Sequence, residues 1–130
     1  MQSSSLAKPI SWIGRSLSIL AIMFLTFDTI IKIIQHPMAT EATVKLGYIA
    51  TLVQTIGVIE LVGLALYAFP RTAVLGAILM TGHLGGAVAT HLRAGSDTFS
   101  LIFPFIIGAF IWGGLYLRNQ QLRTLVPIQR

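Results

Sequence analysis

No cysteine occurs among the 130 residues. Its absence excludes a disulfide framework, thiolate metal sites and a protein-thiol redox relay. Acidic residues are nearly as scarce, four against nine lysines and arginines. Charged residues of either sign make up only 10% of the chain, where a soluble domain carries ~25%. There is no phosphate-binding glycine loop, no Ser–His–Asp logic and no basic-aromatic surface for nucleic acid. Nor is there a solenoid-type repeat, and the only low-complexity stretch is Ser3-Ser4-Ser5. What remains is apolar, 55% hydrophobic with a mean hydropathy of +0.81. The formal charge of +5 lies mostly beside apolar runs, a membrane pattern rather than a polyanion-binding one. A chain of this length forms one domain, residues 1–130.

The most informative stretch runs from Pro70 to Arg93. Between Thr72 and Leu92 it holds no formally charged residue, and its length suits one bilayer crossing of ~20 residues. Ala73, Ala77, Thr81, Gly85 and Ala89 recur every fourth residue, with Gly82, Gly86 and Thr90 forming a second row beside them. On a helix these rows make a flat ridge, which predicts close helix packing through Gly82, Gly85 and Gly86.

Taken in order, residues 1–9 read as a short polar, basic tail. Residues 10–34 form the first span, interrupted by Arg15, Asp28 and Lys32, and ended by His36-Pro37. No small-x-small cleavage site follows, so the segment does not read as a signal peptide. Residues 39–47 suit a short interfacial helix. The other spans are expected at 49–69, 72–92 and 99–117, with Pro70-Arg71 as a tight turn and Pro104 as a start or kink. A basic polar tail follows from Arg118. The expected fold is an all-α, four-transmembrane-helix bundle, up-down-up-down. Lys8, Arg15, Arg71, Arg118, Arg123 and Arg130 fall on the side of the termini. The positive-inside rule then places both termini in the cytoplasm.

The string Thr-Gly-x-Leu-Gly-Gly-Ala-Val-Ala-Thr-His-Leu-Arg, residues 81–93, resembles the corresponding segment of the DoxX-like family of small bacterial membrane proteins. Phe27-Asp28 with Lys32, Glu60, and Trp112-Gly113-Gly114-Leu115-Tyr116-Leu117-Arg118 add to the resemblance, which extends from Ile10 to about Pro127. It implies a four-helix membrane bundle. It also implies association with membrane redox systems, since the family takes its name from a subunit of a thiosulfate–quinone oxidoreductase. It transfers no catalytic residue.

Ionisable groups inside a membrane cost ~2.5–3.5 kcal/mol each on insertion scales, so each needs an account. Asp28 and Lys32 stand one turn apart, acid first, as an i,i+4 pair. They form either a self-neutralising pair with Lys32 snorkelling outward, or part of an outer-rim ligand site with His91 and Arg93. Glu60 and His83 lie at similar counts from the Pro70-Arg71 turn, within about one helical turn in height, so both fall near the midplane of one hairpin. They are the expected proton-handling pair, the alternative being a protonated Glu60 that only braces the bundle. His83 and His91 lie ~12 Å apart along one helix, too far to ligate one haem iron. His36 with His91 remains geometrically open, but no covalent haem motif is present. The histidine spacing fits no standard zinc pattern, and no metal is expected. Three functions fit these residues. The first is a redox-system component binding a quinone between helices, with partner proteins in the bilayer. The second is a proton-coupled transporter of small solutes or drugs, with the glycine ridge as the face of a homo-oligomer. The third is a non-catalytic assembly subunit.

Overall fold

The computed structural model describes residues 4–129. Its helices are α1 (Ser4–Ile33), α2 (Pro37–Lys45), α3 (Leu52–Ala68), α4 (Ala73–Ala94), α5 (Thr98–Arg118) and α6 (Gln120–Leu125). There is no strand among the described residues. The long apolar helices α1, α4 and α5 each suffice to cross a membrane. The second expected span is shorter than its apolar run: α3 has 17 residues, ~25 Å of helix, because residues 46–51 form turns. The fold is a helical membrane bundle. α1 packs on α3 and α5, and α4 packs on the same two. The four helices therefore close into a ring with α1 and α4 diagonal.

Local chemistry sets the breaks. His36 accepts a hydrogen bond from the Met38 amide at Nδ1 and caps α2, with Pro37 at its first position. Pro70–Thr72 is a single 3-10 turn, and the Thr72 hydroxyl donates to the Leu66 carbonyl across it. Gly95, at φ +69°, ends α4 in the left-handed region. Asp97 then caps α5, accepting from the Ser100 amide and hydroxyl. Those two bonds hold its carboxyl below the usual carboxylate range. This cap is present above the ordinary carboxylate value and is lost as pH falls through the lowered one.

The expected tails are partly helical. α1 begins at Ser4 and carries Pro9 within it; residues 1–3 and Arg130 lie outside the described residues. Asn119 caps α6, and Leu122 joins the core. A polar six-residue helix carries too little periodicity to be read from sequence.

The core fills the half of the ring nearer the termini. Tyr67, 1% exposed, lies between Ala21, Met80, Ile111 and Leu115. Its hydroxyl donates to the Ile111 carbonyl at 2.8 Å and accepts from Ser18 Oγ at 2.8 Å. Arg118 Nε donates in turn to Ser18 Oγ at 3.3 Å, with its guanidinium over the Tyr67 ring. This polar chain plugs the bundle at that end.

Within the single chain, the ridge on α4 does not make the expected close packing at Gly82, Gly85 and Gly86. Ala73, Gly76 and Ala77 are buried in the core, whereas Thr81, Gly82, Gly85, Gly86 and Ala89 are exposed. A Cβ built on Gly82, Gly85 or Gly86 would meet nothing within 4 Å. The close approaches lie elsewhere. Gly76 sits against the Tyr67 backbone, Gly57 against Lys32 and Ile33, and Gly114 against Gly14 and Ser18. Small residues permit a close approach without naming the helix that makes it.

Candidate functional site

Three helices bring four ionisable side chains together in the half of the ring opposite the termini. Asp28 and Lys32 come from α1, Glu60 from the middle of α3 and His83 from α4. Lys32 Nζ donates to Asp28 Oδ2 at 2.5 Å and to Glu60 Oε1 at 2.9 Å. His83 Nε2 lies 3.3 Å from the same Glu60 oxygen. Lys32 therefore does not snorkel outward. Gly57 explains its course: one turn before Glu60, it lets α3 close on the Lys32 Cβ, so the ammonium reaches inward along α3. The expected Asp28–Lys32 and Glu60–His83 pairs are one cluster.

Charge and hydrogen bonding leave this cluster incomplete. Two carboxylates and one ammonium sum to −1 with His83 neutral, and one added proton brings the sum to zero. Glu60 is fully buried, and its Oε2 has no hydrogen-bond partner. A buried acceptor without a donor costs about 1–3 kcal/mol, and more when charged. The Thr29 hydroxyl, in the turn beside Asp28, is also buried without a partner. Of the two, only Glu60 borders a cavity, so its Oε2 is the place where a donor from water or a ligand would be stabilised.

Two cavities open around the cluster. The larger, about 710 Å³, lies among α1, α2, α3 and α4. The smaller, about 240 Å³, lies against α5 and is the one Glu60 lines. They share Asp28, Lys32, His83, Ala87, His91 and Ser100, so they are one branched space. The larger branch falls in the size range of small-molecule sites. Phe24, Phe99 and Phe103 wall the smaller branch, with ring centroids 4.9 and 5.5 Å apart.

The outer-rim residues separate. His91 lines both branches, with Nδ1 2.8 Å from Ser96 Oγ. Arg93 does not join them. Its guanidinium donates to the Leu46 carbonyl at 2.9 Å and lies over Gly47, whose φ of +100° favours glycine. Arg93 thus pins the α2–α3 connection to the end of α4. Gly82 and Gly86 line the larger branch, and Gly85 does not. His36 is taken up as the α2 cap. Among the described residues no group of three or more His, Cys, Asp or Glu side chains is placed to hold a metal ion.

The sequence reading missed Gly57, Tyr48 and the phenylalanine wall. Tyr48 bridges from the α2–α3 connection to Thr90 on α4 at 3.0 Å. Gly57 and Gly63 each stand a single turn from the membrane carboxylate Glu60, which is the signal that could have singled Gly57 out. The phenylalanines carry no such sign, since aromatic residues in a span read as lipid-facing or core.

No curated protein and no solved structure matches the chain. The model of the DoxX-like family matches residues 16–114. That segment is most of the chain and contains all four cluster residues, the plug at Tyr67 and the cavity-lining faces of α1, α3 and α4. With the bundle fold beside it, this match places the chain in the DoxX-like family.

Proposed function

We propose that this membrane protein is a component of a redox system and holds a quinone or quinol headgroup in the branched cavity. The observation that supports this reading is the unpartnered Oε2 of fully buried Glu60, a residue that lines an apolar-walled space and whose Oε1 takes the Lys32 and His83 contacts. A quinol hydroxyl suits that oxygen. A quinone carbonyl suits the third proton of Lys32, whose other bonds go to Asp28 and Glu60. The phenylalanine wall suits a flat ring. A bound quinone would supply two-electron chemistry, and the cluster would hold the proton. With no cysteine in the chain, a partner protein in the membrane is the electron source this reading calls for.

The test is retention of decylubiquinol by purified protein in detergent. Wild type should retain it in stoichiometric amount. Glu60→Gln should weaken retention about tenfold, equivalent to ~1.4 kcal/mol. No retention by wild type, or equal retention by Glu60→Gln, overturns the reading.

Charge asymmetry supports a location in the bacterial inner membrane with both termini in the cytoplasm. Arg15, Arg71, Arg118 and Arg123 lie toward the terminal end. The four acids, Asp28, Glu41, Glu60 and Asp97, lie at mid-height or beyond. The cysteine-free chain suits single-cysteine labelling. An impermeant maleimide added outside whole cells should modify Ser96→Cys and leave Arg71→Cys untouched; the reverse pattern inverts the topology.

A further inference from the structure

The α3–α4 hairpin is not uniformly closed. Near the turn the two helices touch backbone to backbone, Gly76 against Tyr67. Farther along they touch through side chains, Gly63 against Met80. Beyond that level His83 still reaches Glu60 at 3.3 Å, but a Cβ on Gly82 or Gly86 would meet no atom within 4 Å. Both glycines line the larger cavity branch, opposite Ile56 and Ile59 of α3. Gly82, Gly86 and Ile59 are exposed on the outside of the bundle, Ile59 to 58%. In a membrane-spanning bundle that outside is acyl chain. The Tyr48–Thr90 bond spans the cleft at the level of α2; Lys45 and Asp97 line the polar end of the cavity, and on the far side of that bridge the cleft faces lipid.

A row of small residues alone would carry no ligand. The independent sign is Glu60, fully buried and with Oε2 unpartnered, in the branch continuous with this cleft. A donor-bearing head belongs at Glu60, and an apolar chain belongs in the cleft. We infer that the cleft between α3 and α4 is a lateral portal for a lipid-soluble ligand whose hydrogen-bonding head reaches the Asp28–Lys32–Glu60–His83 cluster while its tail lies across Gly82 and Gly86. The glycines provide clearance for the tail rather than contact with a helix. This deepens the quinone reading by assigning the route and the tail, and it stands for other headgroups of the same donor chemistry.

The test uses protein reconstituted in phosphatidylethanolamine–phosphatidylglycerol vesicles, with a long-chain primary alcohol carrying a mid-chain diazirine as the probe. Photolabelling should concentrate on Ile56, Ile59 and Thr90. Gly86→Phe fills the cleft without a steric clash at Cβ, and should lower that labelling about tenfold. Gly85→Phe, off the cavity, should label as wild type, and Gly82→Leu provides a second blocking variant. Equal labelling of lipid-facing Ile19, Leu75 and Ile78, or wild-type labelling in both blocking variants, overturns the portal. Competition by decylubiquinone separates the two readings. Displacement of the probe supports a quinone head, whereas a localised label that decylubiquinone leaves in place removes the quinone reading and keeps the portal.

Discussion

Replacing Lys32 with methionine is expected to destabilise the bundle by about 3–5 kcal/mol, the usual consequence of removing one partner from a buried ion pair. The size follows from what remains. Asp28 and Glu60 both lose the ammonium they share, at 2.5 and 2.9 Å, and no other cationic side chain is paired with Asp28 among the described residues. Methionine matches the length of the stem, so packing against Gly57 is retained and the loss is electrostatic. The effect should therefore be reversible by removing charge. Adding Asp28→Asn and Glu60→Gln to Lys32→Met should recover most of the stability, since neutral groups need no counterion. Unfolding in mixed detergent–dodecyl sulfate micelles reads all three proteins. A wild-type midpoint for Lys32→Met would show that the cluster does not depend on its cation.

The second large effect is expected from one methyl group. A Cβ at Gly76 would overlap the backbone of Leu66 and Tyr67, not a side chain that could turn away. Gly76→Ala must spread the hairpin where its turn is shortest, and overpacking of this kind costs about 1–3 kcal/mol. Gly86→Ala gives the opposite sign. It adds the methyl where nothing lies within 4 Å, and it gains up to ~1 kcal/mol of helix propensity. The same unfolding assay distinguishes them. Equal midpoints for the two variants would mean that α3 and α4 do not touch at Gly76.

Much of this molecule can be read from its residues, and the failures share a cause. Helix ends follow local chemistry: Pro37, the Pro70-Arg71 turn, Gly95 and Asp97 mark them in the sequence and end or begin helices in the structure. The proximity of Glu60 and His83 was also accessible, because a short turn makes residue counts equivalent to height. What counting cannot supply is azimuth and neighbour. Lys32 stands one residue from the end of α1, where long cations ordinarily reach for the interface; only the approach of α3 at Gly57 turns it inward. Gly82 and Gly86 look like packing residues for the same reason. A glycine row states that something thin can come close, and the structure leaves that place to a cavity. The fold was thus legible from periodicity and punctuation, whereas the composition of the site depended on which helices became neighbours.

The plug at Tyr67 also has an electrical consequence. A membrane potential drops where the medium insulates, and the terminal half of this bundle is packed with Tyr67, Met80, Ile111 and Leu115, while the other half contains a polar-floored cavity. Most of the voltage should then fall between the cluster and the terminal face. Moving one elementary charge through the full drop takes ~2.3 kcal/mol per 100 mV. A proton reaching Glu60 from the cavity side would cross only a small part of that field, and one arriving past Tyr67 would cross nearly all of it. The expected result is a shallow electrode well, with the cluster electrically close to one face of the membrane and insulated from the other.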